Sequence, residues 1–289
     1  MSLRSRVPVA LTAAAAAVLV GATAAGAEDR AIEITGVSFS VAHVDVTSGD
    51  ADVVLTWTVT DVDPAALEVS GSVELRQFAG ATAVGATTFI PYDAVLVGVA
   101  PGEAPRATSR VHLPVPRYGS TSEAVWRVTK LTAHDGNGNF RALRGDGVAE
   151  FGVTQLVETD GPVLDQIALA PGQNAKVVDT GGGVTLDYRI TASDLQAGLW
   201  KGRLTLAGPD GRRVSSLFSV ASDGRHLTCG FGSLINNIYD RVECAAQVDI
   251  PAGTPAGTWT PARLALTDQA GNTRILNHLS GPAITVTAA

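Results

Sequence analysis

Basic and aromatic residues are both scarce in this sequence, and each scarcity excludes a class of partner. The chain carries 21 Lys and Arg against 28 Asp and Glu, a net charge of −7, and its basic residues form no cluster. An acidic chain without a basic cluster argues against nucleic acid and anionic membrane surfaces as partners. Aromatic residues make up 5% of the chain, which is poor for a carbohydrate-binding module that stacks sugars on exposed rings.

The common catalytic motifs are missing as well. The sequence has no Gly-x-Ser-x-Gly elbow, no His-Glu-x-x-His, no glycine-rich phosphate loop and no Cys/His cluster with zinc spacing. Its five His are scattered along the chain. We therefore predict no catalytic residue, no cofactor and no metal. Acidic residues that are distant in sequence can still meet in space, so a glycosidase-like carboxylate pair stays open as an alternative.

Long apolar runs are absent except at the amino terminus. Residues 7–20 are almost wholly apolar, Arg4 and Arg6 precede them, and Ala25, Gly26 and Ala27 follow. A positive segment, an apolar segment and an A-x-A site are the three parts of a secretory signal peptide. The apolar run is short for the alternative, an uncleaved membrane anchor. We predict cleavage after residue 27, secretion, and no membrane insertion of the mature chain, which would keep 19 basic against 28 acidic residues, a net charge of −9.

Cysteine occurs only twice, as Cys229 and Cys244. In an exported chain, an even number of cysteines at close spacing indicates a disulfide. We predict a Cys229–Cys244 bond that closes a hairpin around Asn236 and Asn237. The alternative is a pair of free thiols.

An internal repeat is the strongest positive feature of the sequence. Residues 126–143 match residues 259–276 without a gap, with identical Trp, Leu, Asp, Gly, Asn, Arg and Leu residues at equivalent places. Residues 53–60 match 184–191 more loosely. Self-similarity of this kind indicates a duplicated structural unit. We predict a signal peptide at 1–27 and domains at 28–158 and 159–289.

Within each repeat, apolar and polar residues alternate with a period of two. Residues 55–59 and 186–190 alternate strictly, and turn-forming residues recur at 48–50 and 209–211. Alternation places successive side chains on opposite faces of a half-buried strand. Several short strands per repeat, separated by turns, are typical of a sandwich. The predicted fold class is all-β, with two tandem immunoglobulin-like β-sandwich domains.

The final hairpin of each repeat carries a family resemblance. The pattern Trp-x4-Leu-x3-Asp-x2-Gly-Asn begins at Trp126 and Trp259, and residues 248–251 and 257–258 form its lead-in in the second repeat. It resembles the tandem bacterial immunoglobulin-like modules of exported and cell-surface proteins. The first repeat departs from the lead-in. The resemblance implies a fold and an extracellular setting, but no activity, since this scaffold hosts many roles.

The Asp-x-x-Gly-Asn turns at Asp135 and Asp268 have two interpretations. Carboxylate and amide oxygens close together can bind calcium. Turn geometry requires less: Asp accepts backbone N–H groups, Gly takes a positive φ, and Asn tolerates a left-handed conformation. We favour turn geometry, because one carboxylate per turn is too few for a cation that prefers six to eight oxygens. Calcium binding stays open.

Trp126 and Trp259 also have two interpretations. A solvent-facing Trp can stack on a sugar, but both repeats keep the Trp five residues before a Leu in an apolar-rich strand. We predict that each indole is buried in its own sandwich core rather than serving as a sugar platform.

The repeats differ most in the middle segments that precede Pro114 and Pro251, and variable segments on a constant scaffold are where binding residues concentrate. The alternative role of these segments is a longer strand pair with its own core contacts.

We predict a secreted, non-catalytic immunoglobulin-like protein that binds an unknown protein or surface component. The alternative is a small extracellular enzyme, an enzyme inhibitor or a carbohydrate-binding module. The ligand and the oligomeric state stay open. The candidate interaction surface comprises Phe89, Tyr92, Leu96, Phe231, Ile238 and Tyr239.

Overall fold

The computed structural model describes residues 32–60, 68–95, 104–145, 147–222, 227–231, 233–235, 238 and 241–288. Every regular element within these ranges is a β-strand, which confirms the all-β fold class. The described residues include no helix of the length and apolar character needed to span a bilayer. The signal peptide predicted for residues 1–27 lies outside the described residues.

The strands of the first half alternate buried and exposed residues, as the period of two predicted. In the strand Arg106–Val115, every second side chain is buried, from Ala107 to Val115. The strands are β1 Glu33–Phe39, β2 His43–Asp45, β3 Ala51–Thr60, β4 Glu68–Ala79, β5 Thr82–Val95, β6 Arg106–Val115, β7 Tyr118–Gly119, β8 Glu123–Asp135, β9 Phe140–Arg144, β10 Glu150–Thr154 and β11 Leu156–Val157.

These strands form the first sandwich. One sheet has the order β1-β3-β6, and the other has the order β2-β10-β8-β4-β5, with β9 paired to β8. Strands β7 and β11 form a small parallel pair. Side chains from both larger sheets, including Trp57, Leu75 and Phe151, form one buried apolar core. The Trp57 ring makes an edge contact with the Tyr92 ring at a centroid distance of 4.6 Å.

The second half forms a second sandwich. The strands are β12 Val163–Leu169, β13 Lys176–Asp179, β14 Val184–Ser193, β15 Leu199–Ala207, β16 Arg213–Ser222, β17 Leu227–Cys229, β18 Ser233–Ile235, β19 Arg241–Ile250, β20 Gly257–Asp268, β21 Thr273–Asn277 and β22 Ile284–Ala288. Its sheets have the orders β12-β14-β19 and β13-β22-β20-β15-β16-β17-β18, with β21 paired to β20. This order repeats that of the first sandwich, and β17 and β18 extend it at the edge of the larger sheet.

Each sandwich also has one parallel strand pairing at the same place in its sheet. Strand β2 pairs in parallel with β10, and β13 pairs in parallel with β22, whereas the strands within each main ladder are antiparallel. The sequence repeat is therefore a repeat of topology, compatible with two immunoglobulin-like sandwiches. Both sandwiches belong to one compact unit. The domain limits at 28–158 and 159–289 stay predictions.

Candidate functional site

The two Asp-x-x-Gly-Asn turns have the hydrogen bonds expected of turn geometry. Asp268 Oδ1 accepts the backbone N–H of Asn272 at 2.7 Å, and Oδ2 accepts the Asn272 side-chain amide at 2.9 Å. Asp135 accepts the same two donors from Asn139. Gly271 has a φ of 98°, a conformation that favours glycine. The Asn of each turn does not use the left-handed conformation that it would tolerate, since His278 alone has a positive φ among the described non-glycine residues. The Asn side chain instead donates to the Asp.

Two further carboxylates lie beside the second turn. Glu158, Asp194 and Asp268 each place one carboxylate oxygen within 4.8 Å of the others. Asp268 is the last residue of β20, Asp194 directly follows β14, and Glu158 directly follows β11. The cluster therefore joins the segment between the two sandwiches to two loops of the second sandwich. We call these three residues the junction carboxylates.

Hydrogen bonds fix the Asp194 carboxylate and the Glu158 backbone. Asp194 Oδ1 accepts the backbone N–H groups of Gln196 and Gly198, both at 3.1 Å, and so caps the loop after β14. The Glu158 backbone N–H donates to the Gly119 carbonyl of the first sandwich at 2.9 Å. The Glu158 carbonyl accepts the side-chain amide of Asn272 in the second sandwich at 3.0 Å. The Glu158 backbone is thus hydrogen-bonded to both sandwiches.

Burial makes this cluster electrostatically unfavourable when all three groups are ionised. The exposed fractions of Glu158, Asp194 and Asp268 are 4%, 7% and 0%. Burial, followed by the charges of Asp194 and Asp268, raises the pKa of Glu158 to about 7. Burial also raises the pKa of Asp268, against the opposing hydrogen bonds from Asn272. In the described part of the chain, no Lys, Arg or His forms an ion pair with any of the three. The cluster therefore favours either a retained proton or a bound cation.

We expect the protein in chelator to lose stability as the pH rises from about 4.5 to about 7. The pKa of Glu158 is about 7 in the fold against a usual value of 4.5, so the folded state keeps a proton that the unfolded chain releases over this interval. Stability is then highest below this interval and lowest above it. Urea unfolding across the interval measures the change. Glu158→Gln, which cannot ionise, should show a flatter dependence of the free energy of unfolding on pH. The same pH dependence in this variant as in the wild type would contradict the raised pKa of Glu158.

A cleft lies between the two sandwiches, and the Asp268 turn contributes to its lining. Its volume is about 490 Å³, within the range typical of ligand-binding sites. The first sandwich contributes a continuous stretch of β5, Ala86 to Pro91, and the second contributes Gln269 and Ala270 of the turn. The other lining residues are Gln77, His112, Pro114, Pro116, Tyr118, Gly119, Trp126, Trp200, Val220, Ala221, Leu227 and Ile238.

A break in the β5 pairing brings the two sandwiches together at the edge of this cleft. The β4–β5 register shifts so that Gly85 and Ala86 have no partner on β4. The freed Ala86 N–H donates to the Gln269 carbonyl at 2.9 Å. Gly85 has a φ of 64°, and a Cβ atom there would lie 2.7 Å from the Gln269 oxygen. Glycine is required at this point because only its backbone permits so close an approach.

The structure separates the residues of the candidate interaction surface. Phe89, which is 55% exposed, and the half-buried Ile238 both line the cleft. Phe231 is exposed but does not line it. Tyr92 is buried and therefore does not belong to an exposed interaction surface. Its ring makes an edge contact with Trp57, and its hydroxyl donates to the Thr132 carbonyl at 2.7 Å. Leu96 and Tyr239 lie outside the described residues.

Three residues of interest were missed by the sequence analysis. Trp200, on β15, lines the cleft, and the Lys201 ammonium lies 3.6 Å from the centre of its ring. Glu158 and Asp194 lie in the carboxylate cluster. A signal for Asp194 was present, because the gap-free match of 53–60 to 184–191 extends to Asp63 and Asp194. Asp63 lies outside the described residues.

The predicted Cys229–Cys244 disulfide is present. Cys229 lies on β17 in the larger sheet of the second sandwich, and Cys244 lies on β19 in the three-stranded sheet. Both are fully buried. The bond therefore joins strands of two different sheets. Asn236 and Asn237, around which the hairpin was predicted, lie outside the described residues.

Both tryptophans of the repeat are buried, as predicted. Trp259 is fully buried, and Trp126 is 5% exposed. Each belongs to the apolar core of its own sandwich. Trp126 also lines the cleft, whereas Trp259 does not.

One residue of the cleft, His112, forms a His–Asp pair of the kind found in hydrolases. His112 lines the cleft, and its Nδ1 is hydrogen-bonded to the Asp52 carboxylate. The two side chains are 69% and 54% exposed. In the described part of the chain, His112 has no hydrogen bond to a Ser, Thr or Cys that would serve as a nucleophile. A His–Asp pair without a nucleophile does not complete a catalytic triad.

The sheets and the repeat place this chain in the class of all-β, sandwich-like proteins. No family model matches its sequence, and no curated protein matches it. Among solved structures, it is similar to red sea bream transglutaminase over 90% of this chain, with 10% sequence identity and a TM-score of 0.23. The chain spans 31% of the length of that protein. A likeness this weak assigns neither a family nor an activity.

Proposed function

We propose that this chain is a secreted, non-catalytic, immunoglobulin-like protein that binds an apolar segment of a partner protein in the cleft between its two sandwiches. The observation that carries the proposal is the composite cleft itself. Strand β5 of the first sandwich and Trp200 and Ile238 of the second form its walls. Neither sandwich forms this site alone.

The chemistry of the cleft supports binding of apolar groups. Aromatic, aliphatic and proline side chains dominate the lining, while Gln77, Thr87 and Gln269 supply a few polar groups. Sites of this composition bind by burying apolar area and use the polar groups for orientation. Phe89 is 55% exposed at this site, so a partner that covers it gains the free energy of removing an aromatic ring from water.

The position of β5 supports an extended peptide segment as the ligand. Strand β5 is the last strand of its sheet and pairs only with β4 among the described strands. Gln269 covers the backbone of Ala86, and the adjoining residues from Thr87 to Pro91 line the cleft. An edge strand offers backbone donors and acceptors to an added strand. Pro91 lacks an N–H group and would end such pairing.

Secretion is supported by the disulfide and by the amino-terminal sequence. A buried disulfide such as Cys229–Cys244 persists in oxidising compartments outside the cytosol. The apolar run at 7–20 and the A-x-A site at 25–27 have the pattern of a signal peptide.

The enzyme alternative rests on His112 and Asp52, and two features weigh against it. The pair is exposed to solvent and lacks a hydrogen-bonded nucleophile in the described residues. The three clustered carboxylates do not line the cleft, so they are not placed to act on a ligand bound there.

Photo-cross-linking tests the proposal directly. We expect p-benzoylphenylalanine at position 89 of the mature protein to form a covalent adduct with a protein when it is irradiated in the native culture. The matched control is position 140, since Phe140 is 61% exposed in the same sandwich and does not line the cleft. Mass spectrometry of the adduct should place the cross-link in an apolar segment of the partner.

Affinity measurement with the cross-linked partner completes the test. We expect Phe89→Asp to weaken binding by about tenfold or more, and Phe140→Asp to leave it unchanged. Equal cross-linking at both positions would argue against the cleft. If the cross-linker at position 89 reacted only with a small molecule, the ligand of the cleft would be a small molecule rather than a protein segment.

A further inference from the structure

We propose that Glu158, Asp194 and Asp268 form a calcium site at the junction of the two sandwiches. Their carboxylate oxygens lie within 4.8 Å of one another. Calcium–oxygen distances are about 2.3–2.6 Å, so two ligands on opposite sides of one calcium ion lie up to about 5 Å apart. The three carboxylates are therefore close enough to share a single ion. The site goes beyond the proposed binding function and does not depend on it.

Two buried oxygen atoms of the cluster indicate that a cation binds there. Glu158 Oε2 and Asp194 Oδ2 are buried and have no hydrogen-bond partner among the residues that the structure describes. Both side chains are more than nine-tenths buried, with exposed fractions of 4% and 7%. An unsatisfied buried acceptor is unfavourable, and a charged one more so. A cation between the carboxylates supplies what both atoms lack.

The donor set selects the kind of cation. The three groups offer only carboxylate oxygen and no His nitrogen or Cys sulfur, a set that favours hard cations over zinc or copper. Mg²⁺ demands shorter bonds of about 2.0–2.1 Å in near-ideal octahedral geometry, whereas Ca²⁺ accepts irregular sites with six to eight oxygens. Residues from three separate loops form an irregular site of this kind. Water molecules would complete the coordination.

The position of the site gives the ion a structural role. Glu158 lies between the sandwiches, and its backbone is hydrogen-bonded to Gly119 on one side and to Asn272 on the other. Asp268 begins the turn whose Gln269 carbonyl accepts the Ala86 N–H of the first sandwich. A calcium ion on the junction carboxylates therefore fixes the connecting segment and the turn that forms one wall of the cleft.

Thermal unfolding of the chelator-treated mature protein tests the site. We expect calcium at about 100 times its dissociation constant to raise the Tm by about 5–10 °C, because an ion that binds only the folded state stabilises it. Isothermal titration with CaCl2 should give one strong site per chain. MgCl2 at the same concentration should have a much smaller effect on the Tm.

Asp194→Asn is the diagnostic variant, and Asp179→Asn is its matched control. Asn keeps the side-chain oxygen that caps Gln196 and Gly198, but it removes the charge. Asp179 caps residues two and four positions later in the same way, through Gly181 and Gly183, and lies outside the cluster. We expect Asp194→Asn to abolish the calcium-dependent rise in Tm and to weaken calcium binding by about tenfold or more. Asp179→Asn should keep both.

The same variant separates a calcium site from a merely structural carboxylate. Without calcium above neutral pH, Asp194→Asn should unfold at the wild-type Tm or higher, because it removes a buried, unneutralised charge. A wild-type Tm that does not respond to calcium would overturn the proposal and leave a group of carboxyls that share a proton. An equal response to magnesium would overturn the assignment to calcium. Loss of the response in both variants would indicate nonspecific binding to acidic groups.

Discussion

Replacing Trp259 with alanine should lower the free energy of unfolding of the second sandwich by about 3–5 kcal/mol, the range for deleting a buried aromatic side chain. The Trp259 indole is fully buried and belongs to the core of the second sandwich. It packs so closely on Gly208 that a Cβ atom there would lie 2.8 Å from the ring. The cavity left by the indole cannot close without moving that backbone. Urea unfolding followed by circular dichroism measures the loss.

Phe231→Ala is the control for this prediction. Phe231 is an aromatic residue of the same sandwich, but it is 59% exposed, so its removal should change the free energy of unfolding by about 0.5 kcal/mol or less. Equal losses in the two variants would mean that the indole does not contribute through burial. Wild-type stability with loss of sugar binding in Trp259→Ala would instead restore the carbohydrate-platform interpretation.

Removing the disulfide should have the next largest effect. Replacing both Cys229 and Cys244 with serine releases a loop with a sequence separation of 15 residues, which corresponds to roughly 3 kcal/mol in the chain-entropy model. Because the bond joins β17 to β19, its loss also removes a covalent link between the two sheets of the second sandwich. Urea unfolding measures the effect, with the midpoint and the slope fitted separately, because an unfolded chain without the bond is less compact.

Reduction provides an internal control for the disulfide prediction. Wild-type protein unfolded and refolded in reductant should match the double serine variant, and the variant itself should not respond to reductant. Peptide mapping of the secreted protein without reductant should recover the two cysteines in one linked fragment. Unlinked cysteines in protein from the medium, or an unchanged midpoint in the variant, would contradict the prediction.

The proposed calcium site and the proposed cleft meet at one short turn. Asp268 belongs to the carboxylate cluster, and the next residue, Gln269, lines the cleft and accepts the Ala86 N–H. Calcium would therefore order one wall of the cleft before a partner arrives, which lowers the entropic cost of binding. The partner should therefore bind the protein more tightly in calcium than in chelator. The cross-link from position 89 tests the cleft whether or not the ion is bound.

Local patterns in the sequence were sufficient to predict the strands, the duplication and the buried indoles of the cores. Strict alternation at 55–59 and 186–190 predicted half-buried strands, because the side-chain period of a strand is a local property of its backbone. The match of Trp126 with Trp259 predicted two equivalent cores, and both rings are buried. With only Cys229 and Cys244 available, the disulfide had a single possible pairing. Each of these inferences required only neighbouring residues or an internal comparison.

The contacts between residues of different strands and loops depend instead on how the sheets pack. Glu158, Asp194 and Asp268 are far apart in the chain, and they converge because the topology brings the ends of three strands to one junction. The sequence pattern around Asp268 predicted a turn with one carboxylate, and it carried no information about the two that approach from other loops. The burial of Tyr92 was equally invisible, because Trp57 and Thr132, which hold its ring and hydroxyl, lie on other strands. Strand periodicity is local, whereas the approach of loops depends on how whole sheets pack, and no stretch of sequence encodes that separately.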